Sequence, residues 1–382
     1  MLSFSFVTWR TSIMIGRELN GDPRPAAYFD DSPFKTPLRP GSVPQARMRR
    51  PIRSFPEIAR EAFGQTGAVI LSIVLYFELF SCLCIFIVTI GDHLHTLFPA
   101  ISTIRCMVGV AFAAAAPIIF LKTARLLSYL SMVGTFATVA VVSAVVMAAF
   151  FEGDITEEVA AKTESAEPPY HALWNAPGLP MTFGLIAYCF SGHAIVPSIY
   201  SSMRKPQDFE RVVDLTFLIV TVACFAVGAS GYWMFGNLVR DQVTLSLEHN
   251  SSAKLAMRVL TYLMILTAYS KITLTMFPLA LGIEEIAAPY LSSERASEFA
   301  SYIIKMTLLA LALAVAIYCP SFSFLCELVG MICTMTVSVV FPAAAHLKLF
   351  GPKLNLLDTL MDYTFVIVGT VMAVVGTYLA LS

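Results

Sequence analysis

The stretch YCFSGHAIVPSIY, residues 188–200, sets Ser191, Gly192, His193 and Pro197 inside an apolar run that spans 181–200. Glycine frees the backbone, proline removes one intrahelical hydrogen bond, serine competes for backbone partners, and histidine adds an ionisable ring. Of the other ionisable residues within apolar runs, three bear most on chemistry. Glu78 sits in LYFEL, Lys271 in AYSKIT with Thr275 one turn further on, and Glu327 near one end of its run. Buried lysines change protonation readily, and a buried carboxyl either stays protonated or passes a proton on. This is chemistry of ion and proton binding. The chain has no HExxH, Walker loop, GxSxG or paired-aspartate motif, so neither an intramembrane hydrolase nor an ATP-driven pump is supported.

Each of these residues also has a structural reading. Lys271 would satisfy helix-end carbonyls, Glu78 would be a packing partner, His193 a hydrogen-bonded helix contact, and Glu327 an interfacial group close to the outer end of its helix. Asp92 and His93, at the end of an apolar run, are expected at the interface. Six of the eight cysteines lie within apolar runs, and Cys106 and Cys319 lie near run ends. That pattern builds no disulfide or metal framework.

The elements that must carry these residues are membrane helices. Hydrophobic residues make up 57% of 382 and charged residues 13%, against about 25% charged in soluble domains. The net charge of −1 gives no basis for a nucleic-acid partner. Apolar runs long enough to cross a hydrocarbon core of about 30 Å fall at 68–90, 101–121, 126–151, 181–200, 212–235, 259–282, 302–318, 322–346 and 360–381. The expectation is therefore an all-α polytopic membrane protein with nine full transmembrane helices plus a partial one at 1–16. A charge at mid-bilayer costs about 2.5–3.5 kcal/mol on insertion scales, which predicts that Glu78 and Lys271 face inward.

Lysine and arginine fix the orientation, because they favour the cytoplasmic side. Alternate loops carry 17 basic residues on one face and 5 on the other. This places 17–60 in the cytoplasm and the C-terminus on the lumenal or exterior face. Residues 17–60 read as a largely disordered basic linker, with eight prolines between 21 and 56. Its cluster at 47–50 offers a contact for anionic lipid head groups, or simply orientation charge. Residues 61–382 form the transmembrane domain. On the opposite face 152–167 is acidic, and Asn250 opens a glycosylation triplet.

Non-helical backbone at membrane depth is tolerated only where protein or a water-filled cavity surrounds it. A helix interrupted there presents N–H groups at one half-helix start and free carbonyls at the other, which suits a zwitterionic solute. On this reading Phe190, Ser191, Gly192, His193 and Pro197 form the binding element. Lys271, Glu78, Thr275 and Glu327 are the candidates for proton or ion coupling. The alternative for the helix is a plain proline kink.

An ordered set of segments, SFPEIAREAFG (54–64), LYFELFSC (75–82), GDHLHTLFP (91–99), FSGHAIVPSIYSSMRKP (190–206), GYWMFG (231–236) and TMTVSVVFP (334–342), resembles the amino acid/auxin permease superfamily. Within it, the set is most similar to vacuolar amino acid transporters related to the vesicular inhibitory amino acid transporter. The resemblance covers residue 54 to the C-terminus. It implies eleven helices, the first ten in a leucine-transporter-like inverted-repeat helical bundle, with 181–200 as the discontinuous sixth and 259–282 as the eighth. Lys271 would then stand where sodium-coupled relatives of the fold hold a cation, its ammonium replacing the metal. Helix one and the start of helix two are missing from the pattern, so the expectation is an N-terminally truncated bundle, from either a truncated gene model or a shortened isoform.

What the resemblance implies is secondary active transport of an amino acid, coupled to protons by symport or antiport, across a vacuolar or vesicular membrane. It implies no enzymatic step and no cofactor. The alternative is a non-transporting membrane regulator or amino acid sensor on the same scaffold.

Overall fold

A computed structural model describes residues 1–20, 54–120, 124–156, 171, 175, 178–250, 254–288 and 294–381. Most of the basic linker, from 21 to 53, and part of the Asn250 triplet lie outside these residues. The described residues form helices and no strand: α1 (Leu2–Asn20), α2 (Phe55–Leu97), α3 (Thr103–Phe120), α4 (Ala124–Glu152), α5 (Leu179–Cys189), α6 (Val196–Ser202) and α7 (Phe209–Phe235). They continue as α8 (Val243–Asn250), α9 (Lys254–Ala287), α10 (Glu294–Tyr318), α11 (Phe322–Val329), a π-helical segment (Gly330–Val340), α12 (Phe341–Phe350) and α13 (Leu356–Leu381). Among the described residues seven helical stretches are long and apolar enough to cross a membrane, and two shorter apolar ones occupy 103–116 and 179–195. The chain is an all-α polytopic membrane protein.

Lipid solvates apolar side chains as well as a protein core does, so burial identifies the axis of the bundle. In the Phe322–Phe350 span 72% of the apolar window is buried and in α2 56%, against 11% for Pro206–Leu238. The first two are central. The α7 span turns Leu218, Val222 and Phe225 outward, as a lipid-facing helix does. Leu83, Ile87 and Ile90 of α2 interlock with Met107 and Ala114 of α3, Ile272 and Met276 of α9, Ala312 of α10 and Cys326 and Val329 of α11.

Three departures from the sequence reading bear on the site. Helix α2 starts at Phe55 and breaks at Gly64, whose φ of 75° and ψ of −167° lie in a region essentially reserved for glycine. The segment before the break packs Phe55 against Phe341, with ring centroids 5.2 Å apart. At its other end α2 runs on to Leu97, beyond the run read from the sequence, and carries His93 into contact with α8. His93 is fully buried, with Nδ1 donating to the Thr89 carbonyl at 2.8 Å and Nε2 accepting from the Thr244 hydroxyl of α8 at 3.0 Å. Asp92 is half-buried beside it. Finally, the 322–346 run is not uniform helix, because its middle is π-helical. All eight cysteines are free thiols.

Candidate functional site

Helix α5 tightens before it ends. Phe190 N–H bonds Ala187 O and Ser191 N–H bonds Tyr188 O, both at 3.1 Å and both three residues back. The chain then leaves the helix and returns through one 3₁₀ turn, His193–Ile195, before Pro197 starts α6 at one of its first positions. Ile195 N–H closes that turn on Gly192 O at 3.2 Å, and the N–H groups of Gly192 and His193 stay outside the helical ladder. The interruption falls where the helix-weakening residues cluster. Proline at a helix start costs no hydrogen bond, which is why α6 resumes there.

The five residues of this stretch divide by surroundings. Phe190 is buried, stacked parallel to Phe217 at 6.2 Å and tilted against Phe4 at 6.0 Å. Pro197 is buried as well. Ser191 is half-buried, while Gly192 is exposed and has open space where a side chain would point. His193 is 1% exposed, its Nε2 lying 2.9 Å from Thr8 O, 3.0 Å from Ser12 Oγ and 3.1 Å from Thr11 Oγ1. A carbonyl only accepts, so Nε2 carries the hydrogen and donates to Thr8 O. The imidazole therefore pins the interrupted segment to α1. Thr11 in turn donates to Ser338 O of the π-helical segment at 2.7 Å. The wider winding of a π-helix frees carbonyls from the usual ladder, and Thr11 takes one of them.

Glu78 is the inward-facing group the sequence predicts, at 6% exposure. Its Oε1 lies 3.4 Å from the Thr334 hydroxyl, and its Oε2 has no partner. One turn on, Cys82 Sγ accepts from Tyr188 OH at 3.8 Å, and Cys82 lies within electrostatic reach of both Glu78 and Lys271. Tyr188 is the penultimate residue of α5. The carboxyl, the thiol and the lysine thus gather beside the end of the broken helix.

Lys271 lies close enough to Cys82 of α2 for its charge to act on that thiol. Its neighbours Ser270 and Ile272 are buried, but Lys271 is exposed, and among the described residues it makes no ion pair with Glu78. Thr275 is half-buried on the same helix, and the buried Thr267 and Thr273 hydroxyls have no partner. Glu327 is placed differently from the interfacial reading. It is 8% exposed, because α5 packs tightly on α11 and a Cβ on Gly184 would stand 2.8 Å from Glu327 Cα. That contact lets backbone meet backbone, as small residues do between membrane helices. A cavity of about 280 Å³ lies between α3, α9 and α10, lined by Thr273, Glu284, Ser301 and Lys305 among others. It takes no residue from the break.

Sequence reasoning missed Thr8, Thr11 and Ser12 as partners of His193, and Thr334 as the partner of Glu78. The first three lie at helical spacing on one face of α1, a polar stripe in an otherwise apolar segment that could have been found.

The sequence profile described as "Transmembrane amino acid transporter protein" matches residues 42–382. Among curated proteins the chain is similar to amino acid transporter AVT1C of Arabidopsis thaliana, 31% identical over 340 residues, covering 87% of this chain and 59% of that protein. It is 30% identical to amino acid transporter AVT1B of the same plant over 340 residues, covering 87% of this chain and 60% of the relative. The chain thus spans about three fifths of the length of these relatives.

Proposed function

Because the chain belongs to the transmembrane amino acid transporter protein family, we propose that it moves an amino acid across a membrane by alternating access, driven by protons. The observation that carries this reading is the interruption of an apolar helix between Cys189 and His193. Its unpaired N–H groups suit a carboxylate, and the exposed Gly192 leaves room for one to approach. Ser191 and Gly192 are the contact residues. Phe190, His193 and Pro197 hold the interruption open from behind.

Glu78, Thr334 and Cys82 on one side and Lys271 on the other form the coupling region beside it. The Lys271 ammonium, exposed on α9, supplies the positive charge that a bound cation would otherwise provide, and loss and regain of its proton would drive the cycle. Glu327 is assigned to helix packing. The names of the relatives support an amino acid as substrate, and a vacuolar or vesicular membrane as the site of action rests on the resemblance of the sequence segments alone. An inverted-repeat bundle remains the arrangement proposed for the whole protein.

The test is uptake of a panel of labelled amino acids into proteoliposomes holding this chain, at two lumenal pH values, beside a version extended upstream. Flux of at least one amino acid that changes with the pH gradient is expected. Saturable binding without flux in either version would replace transport with sensing.

A further inference from the structure

At one end of the bundle three helices bury two carboxyl groups and an imidazole that the site above does not use. Glu18, in the last turn of α1, is 2% exposed, and neither of its carboxylate oxygens has a hydrogen-bond partner. Asp362, near the start of α13, is fully buried. Its Oδ2 accepts from His346 Nδ1 of α12 at 2.8 Å, and its Oδ1 has no partner. Asp362 is close enough for its charge to act on Glu18. The surroundings are apolar, with the Phe350 ring 5.3 Å from the imidazole and Ile15, Leu19 and Ala345 in the adjoining core.

Among the described residues, the other charged groups on the elements packed here turn elsewhere. On α1, Arg10 pairs with Asp358 at 2.5 Å and Arg17 turns to Glu210 of α7 at 3.9 Å. Lys348 of α12 is exposed, as are Tyr363 of α13, Asp214 of α7, and Glu57, Arg60 and Glu61 at the start of α2. With both carboxyls ionised and His346 protonated, one negative charge would remain unpaired in a medium where that costs several kcal/mol. Deprotonating the imidazole leaves two. With His346 protonated, the arrangement becomes neutral when it takes up one further proton, and the orphaned oxygens of Glu18 and Asp362 are where that proton has room.

We propose that Glu18, His346 and Asp362 form a proton-binding site between α1 and the α12–α13 pair. Its occupancy controls how α1 docks on that pair. The same helix holds the interrupted segment through Thr8 and His193 and the π-helical segment through Thr11, so a change in docking at Glu18 reaches both. The site binds its proton whether or not the chain moves an amino acid, and its test needs no flux.

The experiment is infrared difference spectroscopy of the full chain in lipid nanodiscs between mildly acidic and mildly alkaline pH, with proton uptake followed by an indicator dye. A protonated-carboxyl band that titrates is expected in the wild type. It should be lost in Glu18→Gln, with one proton fewer taken up, and altered in Asp362→Asn. Spectra and uptake unchanged in both variants would overturn the proposal. So would a band that responds to sodium or potassium at constant pH, since the site would then hold a metal cation. If neither variant folds, carbon-13 aspartate labelling of the wild type decides: a titrating aspartate band coupled to a histidine signal supports the site, and its absence refutes it.

Discussion

Single side chains anchor the interrupted segment and, on the proposed function, couple it to protons. His193 was a candidate ligand on residue type alone, but three acceptors from α1 converge on its Nε2, which makes it a fastener. Lys271 gains importance because it has no such partners among the described residues. Lys271→Met is expected to abolish proton-coupled uptake in the proteoliposome assay, and uptake as fast as wild type would reject the coupling role. A second residue-scale outcome concerns Asp154, just beyond α4. Its carboxylate accepts from the Thr156 hydroxyl at 2.5 Å and N–H at 3.0 Å, and His171 approaches at 3.3 Å, which together hold its pKa below the ordinary carboxylate value. A depressed pKa gives a contact that is complete above the unfolded value of about 3.9 and is lost only as pH falls through the lower folded value. A carbon-13 titration of Asp154 should therefore show it ionised at the pH of an acidic organelle, and a midpoint at or above about 4 would contradict this.

At the scale of elements, the interruption of 181–200 was legible because its cause is local: Ser191, Gly192 and Pro197 weaken the helix within seven residues. The π-helical segment was not, since TMTVSVVFP reads as ordinary apolar helix and the extra residue per turn has no compositional signature. Nor was the buried trio at Glu18, His346 and Asp362, whose members meet only after α1 has packed on the consecutive α12 and α13 from the other end of the chain. Gly64 shows how one residue shapes an element. Its backbone turns the amphipathic start of α2 away from the membrane-spanning part, and open space around it means that conformation alone demands glycine. Gly64→Ala should cost about 1–3 kcal/mol, seen as a lower Tm in nanodiscs. An unchanged Tm would show that the turn is not fixed.

The whole molecule is a bundle whose most buried members, α2 and the Phe322–Phe350 span, carry Glu78 and Thr334 at its centre, with α5 and α6 beside them. The orientation proposed for it rests on the charge asymmetry of the loops, 17 basic residues against 5. A cysteine placed at Lys205 in a background without the native thiols should react with an impermeant reagent from the cytoplasmic side, and one at Asp241 from the lumenal side. The reverse labelling would invert the topology and with it the direction in which protons are read.

In the proposed transporter the membrane helix around Gly192 is unwound and open to a zwitterion. Amide hydrogen exchange across 186–200 in nanodiscs, with and without amino acid, tests it most directly. Gly192 and His193 should exchange much faster than the flanking α5 residues and become protected when a transported amino acid is added. Uniform slow exchange from Cys189 to Ile199, unaffected by any amino acid, would contradict it.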